Sequence, residues 1–212
     1  MSSNIFLFSS PILFETGLAL QNHFKSLTGN SILLVSHPSI YTSGRRSSLL
    51  PALPYPHFNT NRGGLSTFHG PGQLVVYPIV NLKSSNLTVR SFVQLLETTI
   101  IHSLAKLDIK ATSKCDTGVW INDDKIAAIG ISVTKSITSH GFAVNCNTDL
   151  KMFDYIVPCG LKGKGVTSIT NQLKRNVSIE EYLPYLLESF QQLEGWNVKD
   201  IKQVDVKDFL QC

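Results

Sequence analysis

Two short apolar runs, residues 119–121 (VWI) and 125–133 (KIAAIGISV), are separated only by Asn122, Asp123 and Asp124. Turn formers between two runs rich in β-branched residues specify a β-hairpin, with Lys125 at its return. Antiparallel pairing is thereby fixed near the middle of the chain. Further strands are expected at residues 5–8, 31–36, 65–68, 74–80 and 141–146. Helical spacing relates Phe14, Leu18, Gln21, Phe24 and Leu27 until Gly29. It also relates Val89, Phe92, Val93, Leu96, Ile100 and Leu104 behind a Thr88 N-cap. A third helix opens on Ser178 with Glu181 as a capping box, and Pro184 should bend or shorten it. Paired strands among about three helices predict an α+β fold with a mixed sheet and flanking helices. With 212 residues, 42% of them hydrophobic, the chain reads as one domain over residues 1–212.

Charge narrows the partners. The formal net charge is +4, but only 16% of residues are charged and no block of like charges occurs, so neither nucleic acid nor a membrane is expected as a partner. Cys115, Cys146, Cys159 and Cys212 show no C-x-x-C spacing, which argues against a zinc site or disulfide framework and for reduced thiols. The apolar IFLF opening is too short for a membrane span, and the first basic residue is Lys25, against an Arg-rich transit peptide.

Three places carry residue types suited to chemistry. The first combines Arg62, Gly63 and Gly64 with the run from Thr67 through His69 to Gln73; glycines let a backbone approach a ligand, and an arginine and a histidine can orient a polar group. It is neither a P-loop nor a dinucleotide fingerprint, and by residue types alone a glycine-rich hairpin with a structural histidine is the stronger reading. The second is the strand after Lys125, where alternation places Ile126, Ala128, Gly130 and Ser132 on one face. Small side chains there leave a groove for an alkyl chain, worth about 5 kcal/mol for eight carbons at about 0.8 kcal/mol per methylene; close helix packing is an equal alternative. The third is Cys159, between Pro158 and Gly160. An ammonium about 4 Å away at an effective dielectric of about 20 would favour its thiolate by roughly 4 kcal/mol before desolvation. The N–H groups of Cys159 and Gly160 could face an oxyanion. A lone cysteine is by itself more often a small core residue, and a lysine after two aspartates a solvated turn residue.

Longer segments change that balance. RGGLSTFHGPGQLVVYP, GVWINDDKIAAIGI and HGFAVNCNTDL followed by FDYIVPCGLKGKGVTS, with HPSIYTSG and LALQ, resemble the octanoyl (lipoyl) transferases in order and over nearly the whole chain. Within the family the likeness is to the eukaryotic, mitochondrial members. The resemblance implies a fold similar to the biotin and lipoate ligase catalytic domains. It implies transfer of an octanoyl group from acyl carrier protein, where phosphopantetheine carries it, to a lysine of lipoyl domains. The acceptors are those of 2-oxoacid dehydrogenase E2 subunits and the glycine cleavage H protein. It makes Cys159 the acyl-thioester nucleophile and Lys125 the partner that lowers its pKa. Substrate contacts fall on Arg62, Gly63, Gly64, Leu65, Ser66, Thr67, Phe68 and His69. Others fall on Ala128, Ile129 and Gly130, and on Gly141, Phe142 and Ala143. No metal or other cofactor is implied, because the thioester is already activated. The expected state is a monomer, in mitochondria or otherwise the cytoplasm. Lys162 and Lys164 would steer the acidic carrier. Phe142 and Val144 stand where leucine is usual, and Phe68 where many bacterial members have tyrosine, which bears on chain-length preference. An ATP-dependent lipoate ligase and a non-catalytic binder of acylated carrier or lipoyl domains are the alternatives.

Overall fold

The computed structural model describes residues 3–27, 29–47, 52–114, 116–156 and 164–210. Its spine is a mixed sheet. Strands β1 (Ser3–Phe8) and β2 (Asn30–Val35) flank helix α1 (Phe14–Ser26) in the chain. The small strands β3 (Ile40–Ser43), β4 (His57–Asn59) and β5 (Thr67–His69) follow, then β6 (Gln73–Ile79) and helix α2 (Val89–Ala105). Next come β7 (Thr112–Ser113), β8 (Val119–Ile121), β9 (Asp124–Thr134), β10 (Ile137–Asn145) and β11 (Gly165–Val166). Helices α3 (Ile169–Leu173) and α4 (Ile179–Gln192) and strand β12 (Val198–Val204) complete the order. The large sheet runs β12-β1-β2-β6-β10-β9-β8-β7, with β11 paired to β9. β1 is parallel to both β2 and β12, whereas β2–β6, β6–β10 and β10–β9 are antiparallel.

Alternation along the central strands divides the core in two. Ile32, Leu34, Leu74, Val76, Phe142 and Val144 pack toward Phe92, Leu96 and Ile100 of α2 and Tyr182, Leu186 and Phe190 of α4. Leu33, Val35, Val75, Tyr77 and Ala143 point the other way, with Leu20 and Phe24 of α1. The helices end as their caps dictate. Thr88 accepts from the Ser91 N–H, and Ser91 returns the bond in a capping box. Ser178 accepts from the Glu181 N–H, but the Glu181 carboxylate is taken by Arg175 at 2.6 Å, so the expected box is half formed. Pro184 does not end α4, which continues to Gln192.

The region after His37 departs from the sequence expectation. Where no strand was expected before residue 65, β3 pairs in parallel with β4 and antiparallel with β5 in a separate small sheet. The glycine-proline run therefore does not close a hairpin. It passes the chain from β5 in the small sheet to β6 in the large one. β10 also starts earlier than expected, because Lys135 and Ser136 both adopt positive φ (50° and 67°) in a two-residue turn that pairs Thr134 with Ile137.

Candidate active site

A cavity of about 440 Å3 opens where the small sheet faces the α1 side of the large one. Its floor follows from cross-strand pairing: Ala143 opposes Ala128 and Val75, and Gly141 opposes Gly130, so these positions share a face. Alanine and glycine there hold the floor low. A Cβ on Gly130 would stand 3.0 Å from the Gly63 carbonyl oxygen, and one on Gly141 would strike the Val76 carbonyl. The small residues at these two positions admit backbone of residues 62–64 and of β6, not of a helix. Ile129, Ile131, Phe142 and Val93 add apolar lining.

The facing wall consists of two chain segments laid side by side. Gly44 N–H donates to Leu65 O, Arg45 N–H to Arg62 O and Arg46 N–H to Gly64 O, at 3.0–3.2 Å. Gly63 N–H reaches the Ile131 carbonyl at 2.9 Å and ties this wall to β9. Arg62 is buried, and its guanidinium donates to Thr42 O, Thr42 Oγ1 and Gly63 O. These bonds brace β3 against the loop, and Arg62 also lines the cavity. Gly63, Gly64, Leu65, Ser66, Thr67 and His69 line the cavity as expected, but Phe68 does not. Alternation on β5 turns Phe68 away, into a cluster with Tyr41, Phe153 and Ile156. Its ring is a core element, so the tyrosine-for-phenylalanine difference has no direct path to chain length.

His69 has a defined tautomer. Gln73 Nε2 donates to Phe68 O and Asn145 Oδ1, which leaves Gln73 Oε1 to accept from His69 Nδ1 at 2.7 Å. Nδ1 thus carries the proton and Nε2 is an acceptor. Burial and the nearby His37 push the His69 pKa down to about 3, so the ring is neutral at physiological pH. His140, also on the wall, is pushed to about 4 by burial and by Arg62, and bonds Asn61 Oδ1 at 2.9 Å. The same network extends beyond His69. Asn145 Nδ2 donates to Thr167 O at 3.0 Å, and Thr167 N–H donates to Lys125 O at 3.0 Å.

Lys125 lies at the cavity with only 6% of its surface exposed. Its position depends on a bulge. Trp120 pairs with Lys125 but Val119 pairs with Ala127, so β9 carries one extra residue there. Ile126 and Ala127 consequently both enter the α2 and α4 core, which corrects the expected placement of Ile126 beside Ala128. The slip brings Lys125 to the Ala128 and Gly130 face. Lys125 Nζ donates to Thr117 O at 3.1 Å and lies 4.6 Å from the Trp120 ring centroid. Gly118, at φ 133°, leaves the necessary room, because a Cβ there would stand 3.1 Å from Lys125 Cε. Its N–H is held by the buried Glu97 of α2 at 3.1 Å. Lys164 also approaches Trp120, at 4.9 Å, and pairs with Asp116 at 2.7 Å.

Cys159, Gly160 and Lys162 lie outside the described residues, as do Cys115 and Cys212. The described chain resumes beside Lys125, where Gly165 pairs with Asp124 and Val166 with Lys125. Cys146 is a buried thiol in the apolar core, its pKa raised by desolvation. Residue patterns missed several lining residues: Phe14, Arg45, Arg46, Val75, Tyr77, Asp116, Thr117 and His140. The arginine pair is a visible doublet in the sequence; Val75, Tyr77 and His140 reach the site through sheet pairing, Phe14 from the start of α1, and Asp116 and Thr117 from the bend before β8.

Residues 15–191 match the family model described as lipoyl protein ligase A/B catalytic domain. The chain is 50% identical over 181 residues, 81% of each chain, to the mitochondrial octanoyl-[acyl-carrier-protein]:protein N-octanoyltransferase of Danio rerio. It is 44% identical to the Homo sapiens protein of the same description, over 76% of this chain and 75% of that one. Among solved structures, lipoate-protein ligase A bound with ATP superposes with a TM-score of 0.76 at 16% identity, over 99% of this chain and 92% of that one. The bipartite lipoate protein ligase of Thermoplasma acidophilum gives 0.75 at 16%, over 99% and 90%. Those two likenesses show the fold, and the close relatives narrow the placement: this chain belongs to the lipoyl protein ligase A/B catalytic-domain family, among its octanoyltransferases.

Proposed function

We propose that the protein transfers an octanoyl group from octanoyl-acyl carrier protein to a lysine of a lipoyl domain through a thioester on Cys159. The observation that carries this reading is the buried Lys125 at the end of a small-floored cavity, beside the strand to which the chain returns after Cys159. In the first half the Cys159 thiolate attacks the carrier thioester carbonyl. The bond to the carrier sulfur breaks, and Lys125 gives a proton to the departing thiolate. In the second half neutral Lys125 takes a proton from the incoming lysine ammonium, and the freed amine attacks the acyl-Cys159 carbonyl. Amide formation expels the thiolate and releases one proton to water, which restores the starting pair. N–H groups of Cys159 and Gly160 stabilise the oxyanion. His69 Nε2, an acceptor on the wall, orients a substrate N–H group.

The thioester supplies the activation, so neither ATP, metal nor other cofactor enters the scheme. The acceptors are the lipoyl domains of 2-oxoacid dehydrogenase E2 subunits and the glycine cleavage H protein, and the enzyme works as a single-domain monomer. The names of the vertebrate relatives support a mitochondrial location. Among the described residues no helix is long and apolar enough to cross a membrane. The test is transfer from octanoyl-acyl carrier protein to an isolated lipoyl domain without ATP. Octanoylation with no pyrophosphate release is expected; a strict ATP requirement would move the protein to the ligase reading, and no transfer to the non-catalytic one.

A further inference from the structure

The cavity carries more positive charge than an acyl chain can use. Arg45, Arg46, Arg62 and Lys125 all line it, and Asp116 is the only carboxylate among its described lining residues, already paired with Lys164. An octanoyl thioester is neutral along its length. A surplus of cations at the entrance therefore matches an anion elsewhere on the donor.

The three arginines are not equivalent. Arg62 is buried and its guanidinium holds Thr42 and Gly63. Arg45 and Arg46 are exposed, and no described carboxylate forms an ion pair with either. What holds them is the backbone: their N–H groups are bonded to the carbonyls of Arg62 and Gly64 across the wall. Gly44 permits that approach, since a Cβ there would overlap the Gly64 carbonyl oxygen. The backbone of both residues is thus held at the cavity wall, and their exposed guanidiniums extend from it. Planar forks of this kind suit phosphate oxygens.

We propose that Arg45 and Arg46 form the subsite for the phosphodiester of the carrier's phosphopantetheine arm, with the acyl chain running inward over Ala128 and Ala143. This rests on the octanoyltransferase reading, and it assigns to the doublet the charged end of the donor. Arg62 keeps the wall in place, so its loss would act through folding and not through phosphate.

The experiment compares three donors, octanoyl-acyl carrier protein, octanoyl-4′-phosphopantetheine and octanoyl-pantetheine, with wild type and the Arg45→Gln/Arg46→Gln variant. The substitutions leave the backbone bonds intact. The ratio of kcat/KM for the phosphorylated over the unphosphorylated small donor should fall about tenfold in the variant, the scale of a lost charge-assisted contact. The salt dependence of that ratio should flatten as well. An unchanged ratio overturns the proposal; if only the carrier donor is then impaired, the doublet meets carboxylates on the carrier surface instead. Wild type inactive with all three donors would refute the octanoyltransferase reading itself, a result distinct from failure of the phosphate subsite.

Discussion

Replacing Ala128 by leucine tests whether the acyl chain lies on the small-residue floor. Ala128 is half-buried and lines the cavity opposite Ala143, so a larger side chain there grows into open space. Leucine adds an isopropyl group, the bulk of about three methylenes. If the inner end of an octanoyl chain occupies that space, displacing about three methylenes at about 0.8 kcal/mol each removes roughly 2.4 kcal/mol of binding, about a fiftyfold loss. A butanoyl chain stops short of the obstruction and should be spared. The assay is kcat/KM for Ala128→Leu and wild type with octanoyl- and butanoyl-acyl carrier protein. Thermal unfolding serves as a control that the fold is kept. The preference for octanoyl over butanoyl should therefore narrow by about fiftyfold. Equal losses for both donors, or none for octanoyl, would refute the placement of the chain on this floor.

Stability should depend on three buried histidines. His37, His69 and His140 have folded values of about 4, about 3 and about 4, lowered mainly by burial. The unfolded chain therefore binds protons first, so their stabilising contribution is complete above about pH 6.5 and is lost as pH falls toward 4. Urea unfolding at pH 5 against pH 7.5 should show a deficit of roughly 2 kcal/mol per histidine; a flat profile would contradict the neutral assignments. Gly141→Ala should cost about 3 kcal/mol or more, because its Cβ would meet backbone of β6 that cannot yield; a melting temperature near wild type would be inconsistent with the β6–β10 register. Gln73→Leu strands His69 Nδ1 and Asn145 Oδ1 and should destabilise by about 2 kcal/mol; a neutral effect in the same unfolding assay would argue against the network.

Much of the layering was legible because it depends on period. Phe92, Leu96, Ile100 and Leu104 repeat at helical spacing and are buried in α2, and the Asn122 turn lies between β8 and β9 as read. The small sheet was hidden. Ile40–Ser43 is buried at every position, so it shows no alternation, and it follows immediately on a proline-containing turn. β12 was hidden for the opposite reason: its charged residues mask the partly buried Val198, Ile201 and Val204, and its partner β1 lies at the other end of the chain.

At the site, the residue types of the floor and the shared face of Ala128 and Gly130 were readable, while the side taken by Ile126 and Lys125 was not. A single bulge at Ile126 reverses the side on which Lys125 emerges, and strict alternation cannot register an inserted residue. Phe68 shows the converse, because the resemblance implies a continuous contact run from Arg62 to His69, whereas β5 presents only Thr67 and His69 to the cavity. Arg62 reads as a ligand-binding cation in sequence; in the fold it lines the cavity and also braces Thr42 and Gly63.

Intact-protein mass spectrometry after incubation with octanoyl-acyl carrier protein, but no acceptor, addresses the central claim directly. Wild type should gain one octanoyl group, Cys159→Ala none, and Lys125→Ala should acquire it slowly. Transfer to an added lipoyl domain by a wild type that never carries the adduct, or an adduct that persists in Cys159→Ala, would contradict the acyl-enzyme route.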